Sequence, residues 1–94
     1  DYFTLAMENA ETITEEYYYR GICYMGLGDF EAAAADFSSS IEQGQLSASC
    51  FYNRALCRLQ TGDMQGAKED LQETLQLSQD EEVSAVVREM LDQL

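Results

Sequence analysis

The chain contains no histidine and no proline, and it carries only five cationic side chains: Arg20, Arg54, Arg58, Lys68 and Arg88. Each shortage excludes something. Without histidine the commonest general base is missing. With no histidine and no close cysteine pair, a metal site is not expected. Without proline nothing interrupts a helix from within. Five widely spaced cations against 18 carboxylates leave a formal net charge of −13. Nucleic acid and anionic lipid both require clustered cations, so neither is expected as a partner. No apolar run approaches the roughly 20 residues of a membrane-spanning helix.

Cysteine is also scarce. Three residues, Cys23, Cys50 and Cys57, cannot form a fully paired disulfide set. Their odd number leans toward a reducing, cytoplasmic compartment and leaves a surface-anchored parent protein open. All three fit places where a small residue packs between helices, so they are expected as small buried hydrophobes. The start at Asp1 without methionine reads as a processed or excised piece.

What is present is a repeat. Residues 14–47 overlay 48–81 without gaps at an offset of 34. Tyr18 falls on Tyr52, Arg20 on Arg54, Cys23 on Cys57, Gly28 on Gly62, Asp29 on Asp63, Ala33 on Ala67 and Asp36 on Asp70. A period in this range signals stacked units that bury their apolar faces only against neighbours. Apolar residues recur at helical spacing from Glu15 to Leu27, and Phe30, Ala33, Ala34, Phe37 and Ile41 trace a second helical face. Glycine ends the first helix and Asp29 is placed to cap the second. The same punctuation returns at Gly62-Asp63.

The ends continue the phase. Phe3 and Met7 lie 34 residues before Phe37 and Ile41, so 1–11 reads as the second helix of a truncated preceding unit. Ser78-x-x-Glu81 is a capping-box pattern. It opens a capping helix over 79–94 whose stripe is Val83, Val86, Val87, Met90, Leu91 and Leu94. In strict phase Arg88 matches Arg20 and Arg54, which would turn Val83, Val86 and Met90 to the groove. A shift of one or two residues is expected instead, because a wet stripe forgoes roughly 1.5–3 kcal/mol per side chain.

Unit 1 reads Tyr17-x2-Arg20-Gly21-x2-Tyr24, Gly28-Asp29-Phe30, Ala33-x3-Phe37. Unit 2 reads Phe51-x2-Arg54-Ala55-x2-Arg58, Gly62-Asp63-Met64, Ala67-x3-Leu71. This pattern resembles the tetratricopeptide repeat, whose period is 34 and whose motif runs W-x2-L-G-x2-Y, A-x3-F, then P. The likeness covers essentially the whole chain. Proline is replaced by Gln45 and Gln79, and Arg58 stands where an aromatic is usual. Arg20 and Arg54, with Asp36 and Asp70, resemble a variant that has Arg-Gly in the first helix and Asp before the aromatic of the second. That variant implies structural ion pairs, because guanidinium forms a planar fork with carboxylate. Pairing within a unit and pairing across units, Asp36 with Arg54, both remain open.

The resemblance implies an all-α fold, a right-handed α-α superhelix of antiparallel helix pairs. It also implies a concave groove lined by first helices. Mapped by phase, the groove comprises Glu15, Tyr18, Tyr19, Ile22 and Met25 from unit 1, and Ser49, Tyr52, Asn53, Leu56 and Leu59 from unit 2. Tyr17, Tyr24 and Phe51 take packing positions. The alternative for Ile22, Met25, Leu56 and Leu59 is cover by the chain's own last helix or by a second copy. Relatives that clamp a chaperone's terminal carboxylate use basic residues plus Asn. Here Asn53 alone matches, so that role is rejected.

No catalytic set emerges. Ser38-Ser39-Ser40 reads as helix surface, and Gly26-x-Gly28 as a helix terminator. Carboxylate clusters at helix starts complement the dipole, and no cofactor is implied. The chain is therefore read as a non-catalytic module binding a peptide or partner helix. Its acidity is either a solvated surface or an attraction for a segment with basic flanks. The alternatives are an assembly segment that self-associates through exposed repeat ends, and an accessory domain of a larger protein.

Overall fold

A computed structural model describes residues 10–44 and 47–94. Five helices make up this part: α1 Ala10–Gly26, α2 Phe30–Glu42, α3 Ala48–Thr61, α4 Met64–Leu77 and α5 Glu81–Gln93. No strand occurs among the described residues. Each helix packs chiefly on its sequence neighbours, and α1 also reaches α3. The result is two hairpins, α1–α2 and α3–α4, layered through α2 against α3, with α5 laid on α4.

The hairpin corners are local chemistry. Gly62 caps α3 at φ 89°, a left-handed conformation that glycine adopts without steric cost. The Asp63 N–H then donates to the Arg58 carbonyl at 2.8 Å, closing the cap. The Asp63 carboxylate turns forward and accepts from the Gly66 N–H at 2.9 Å, which starts α4. The other corner repeats each step. Gly28 has φ 81°, the Asp29 N–H donates to Tyr24, and the Asp29 carboxylate accepts from Ala32.

Two buried clusters hold the layers together. Ala33, Phe37, Cys50 and Cys57 join α2 to α3. Ala55, Leu71 and Val87 join α3, α4 and α5. Small residues such as Ala33 and Ala67, both fully buried, allow the helices close approach.

Several expectations change. Cys50 and Cys57 are fully buried, but Cys23 is exposed. Cys57 is covered by α2 of the preceding unit, whereas the segment equivalent to α2 for Cys23 falls on residues 1–9. Those residues, and with them nearly all of the half unit expected over 1–11, lie outside the described part; Ala10 and Glu11 belong to α1. The Ser78 capping box does not form. Asp80 is the N-cap of α5 and accepts from the Glu82 N–H at 2.9 Å, while the Ser78 hydroxyl accepts from the Asp80 N–H. The shift expected in α5 is incomplete: Val87 enters the core, Val86 stays 48% exposed, and Arg88 is exposed. Ser40 is fully buried rather than on a helix surface. Phe51 is buried, while Tyr17 and Tyr24 are half-buried.

Candidate functional site

The first helices are oriented by ion pairs within units. Arg20 grips Asp36 through Nε and Nη2, each at 2.8 Å. Arg54 grips Asp70 in the same two-bond manner at 2.9 and 2.8 Å. Each guanidinium also lies 5.5 Å from an aromatic ring centroid, Tyr17 and Phe51 respectively. The hydrogen bond to carboxylate holds each guanidinium above its ordinary pKa, against the opposing effect of burial. Both stay charged, and both are engaged in clamping α1 to α2 and α3 to α4. The Arg54 Nη1 also donates to the Ser38 hydroxyl at 3.1 Å, which ties unit 2 back to α2.

With the first helices fixed, their shared surface has two seams. The α1/α3 seam is stitched. The Tyr18 hydroxyl lies 2.6 Å from the Ser49 hydroxyl and accepts from Asn53 Nδ2 at 3.3 Å. The Tyr18 ring meets Phe37 edge-on at 5.7 Å and Tyr19 at 5.4 Å. The α3/α5 seam is different. Thirty-four residues beyond Ser49 and Asn53 stand Val83 and Val87, which offer no hydrogen-bonding group. The Tyr52 hydroxyl makes no hydrogen bond among the described residues. The seam opens as a cleft of about 410 Å³, lined by Ala48, Ser49, Tyr52, Ser78, Glu82, Val83 and Val86. Its walls are mainly apolar and Glu82 supplies a carboxylate.

The ten groove residues expected from phase are thus distributed. Ser49 and Tyr52 line the cleft. Tyr18 and Asn53 lie in the stitched seam. Glu15, Tyr19 and Ile22 are exposed on α1, Tyr19 at 58%. Met25 is half-buried against the α2/α3 cluster, and Leu56 and Leu59 are half-buried. Phase mapping missed Ala48, Ser78, Glu82, Val83 and Val86. The strict 34-residue register contained the signal, since it places Val83 and Val86 over Ser49 and Tyr52.

The buried thiols are poor nucleophiles. Burial pushes Cys50 and Cys57 each up to about 11, so both stay protonated near neutral pH. The surface therefore offers shape, apolar area, hydroxyls and negative charge.

The tetratricopeptide repeat profile matches residues 17–43 and 49–78, one copy on each hairpin and together more than half of the chain. Among characterised proteins, none matches significantly.

Proposed function

The chain belongs to the tetratricopeptide repeat family, whose repeats generally mediate protein–protein interaction, and on that premise we propose that it is a non-catalytic docking module. It holds an extended protein segment or a partner helix along the line of α1, α3 and α5. The observation that carries this reading is the apolar cleft between α3 and α5. On α1, the other first helix, Tyr19 and Ile22 also stand exposed. Tyrosine suits such a surface because its ring supplies area and its hydroxyl supplies a polar contact at low entropic cost.

Capture of the domain on a displayed peptide array tests the reading. Tyr19→Ala/Tyr52→Ala should fold, since Tyr19 is largely in solvent and Tyr52 is only half-buried. The double variant should lose about tenfold or more in affinity, as expected when central aromatic anchors are removed. Undiminished capture by the folded variant would remove the concave surface from the account.

A further inference from the structure

We propose that the α3/α5 cleft, rather than the α1/α3 seam, is the primary acceptor, and that it takes an apolar side chain of a partner segment with lysine or arginine beside it. The inference rests on the docking reading and assigns the chemistry of its occupant.

Three observations carry it. The first is which seam is open. Tyr18, Ser49 and Asn53 satisfy one another and close the upstream seam. Downstream, Val83 and Val87 replace the stitching groups Ser49 and Asn53. Among the described residues the Tyr52 hydroxyl has no hydrogen-bond partner, and it stands beside an apolar opening. An apolar recess with a few polar groups at its edge is the ordinary form of a binding site. At about 410 Å³ it sits toward the small end of such sites, roughly 300–1,000 Å³, and suits one or two side chains rather than a whole helix.

The second observation is charge. Glu82 lines the cleft, with Asp80 and Glu81 beside it at the start of α5. The helix N-terminus offsets roughly half an elementary charge, so this cluster remains negative. A cation next to the inserted side chain is attracted there, and a carboxylate is repelled.

The third observation removes a second copy of this chain as the occupant. It would bring its own net −13 against the same sign. Three of its five cations, Arg20, Arg54 and Arg58, are engaged with Asp36 and Asp70. A foreign basic–apolar segment is the occupant that fits.

The test uses three capped synthetic pentapeptides, Lys-Ala-Leu-Ala-Lys, Glu-Ala-Leu-Ala-Glu and Lys-Ala-Ser-Ala-Lys. Each is titrated into the isotope-labelled 94-residue chain. Amide chemical shifts report where each binds. The first peptide should perturb Ser49, Tyr52, Glu82 and Val86, and bind more tightly than the other two. Glu82→Gln should weaken it about two- to fivefold, and added salt should do the same, as for an exposed charge contact. Val86→Ser, which alters a half-exposed side chain, should weaken it further while leaving the fold intact. Equal binding of the acidic peptide would overturn the assigned chemistry. Shifts confined to Tyr19 and Ile22 would overturn the choice of cleft while leaving a docking module in place. No shift with any peptide at millimolar concentration would overturn the cleft as an acceptor, and the array experiment would then judge the broader reading independently.

Discussion

The two repeats share one plan and fill it differently. In unit 1 the first helix has Gly21 where unit 2 has Ala55, and the second helix has Phe37 where unit 2 has Leu71. A Cβ on Gly21 would lie 2.9 Å from the Phe37 ring, so the larger ring requires the missing methyl. Ala55 and Leu71 fill the same space with the volume moved to the other side. The ion pairs diverge in parallel. Arg20 is 35% exposed and Asp36 7%, whereas Arg54 is 15% exposed and Asp70 3%. Arg58, at the place of Tyr24, adds a second guanidinium on Asp70 at 3.0 Å. Unit 2, packed between α2 and α5, carries its charges deeper. A repeat position therefore fixes a role, while its surroundings decide what that role is worth.

The largest expected effect breaks this comparison at its charges. Asp70→Ala leaves Arg54 and Arg58 facing each other without their carboxylate, and should cost about 3–5 kcal/mol. Asp36→Ala takes that carboxylate from Arg20, which water already reaches, and should cost about 1–2 kcal/mol after solvent screening. Urea denaturation of both variants measures the difference. Equal losses would mean that enclosure does not set the strength of the clamp.

The next effect separates the equivalent cysteines. An aromatic disulfide reagent should modify Cys23 quickly in the native protein, and Cys50 and Cys57 only on unfolding, because burial protects them. The same burial makes stability depend on alkali. Above the ordinary thiol pKa of 9.0, unfolded chains release these protons, while the folded state keeps them up to about 11. The folded state then binds more protons than the unfolded one, so stability is intact below pH 9 and falls across the window from 9 to 11. The slope is about 1.4 kcal/mol per pH unit for each thiol. Cys50→Ala/Cys57→Ala should flatten that slope.

Much of this architecture was legible because it is local. A glycine with positive φ followed by a capping aspartate is written in adjacent residues, and both corners form where the sequence places them. The ion-pair partners were not legible. Arg54 lies 16 residues from Asp70 and 18 from Asp36, so spacing alone does not decide between them; the packing of α3 against α4 brings Arg54 to Asp70. The cap of α5 falls two residues beyond the Ser78 that the capping-box pattern pointed to, on Asp80. The link from α4 gives the role to Asp80, and Ser78 holds the turn before it. The cleft was hidden by a sound rule applied too widely. Valines do seek burial, and Val87 obeys, but one helix face cannot bury Val83, Val86 and Val87 together.

A smaller effect sharpens the packing comparison. Gly21→Ala should cost about 1–2 kcal/mol, the overpacking penalty less the helix propensity that alanine restores. Adding Phe37→Leu should recover most of that loss, since the pair then copies Ala55 and Leu71. Calorimetry on the two single variants and the double variant closes the cycle. Additive losses would show that the ring and the missing methyl are unrelated.

The smallest effect concerns the two seams and is the most direct reading of them. Tyr18→Phe deletes a hydroxyl that meets Ser49 at 2.6 Å and Asn53 at 3.3 Å. It should cost about 0.5–1.5 kcal/mol, the net worth of such contacts in partly wet surroundings. Tyr52→Phe deletes the equivalent hydroxyl at the α3/α5 seam, where no group among the described residues receives it, and should leave stability unchanged within about 0.5 kcal/mol. Denaturant midpoints resolve a difference of that size when the slope is unaltered. A loss at Tyr18 without one at Tyr52 would mean that the repeated tyrosine does two jobs. It binds neighbouring units together where Ser49 and Asn53 reach it, and it stands ready for a partner where Val83 and Val87 replace the stitch. Equal losses would mean that the Tyr52 hydroxyl is held within the domain after all, and the two seams would then be alike.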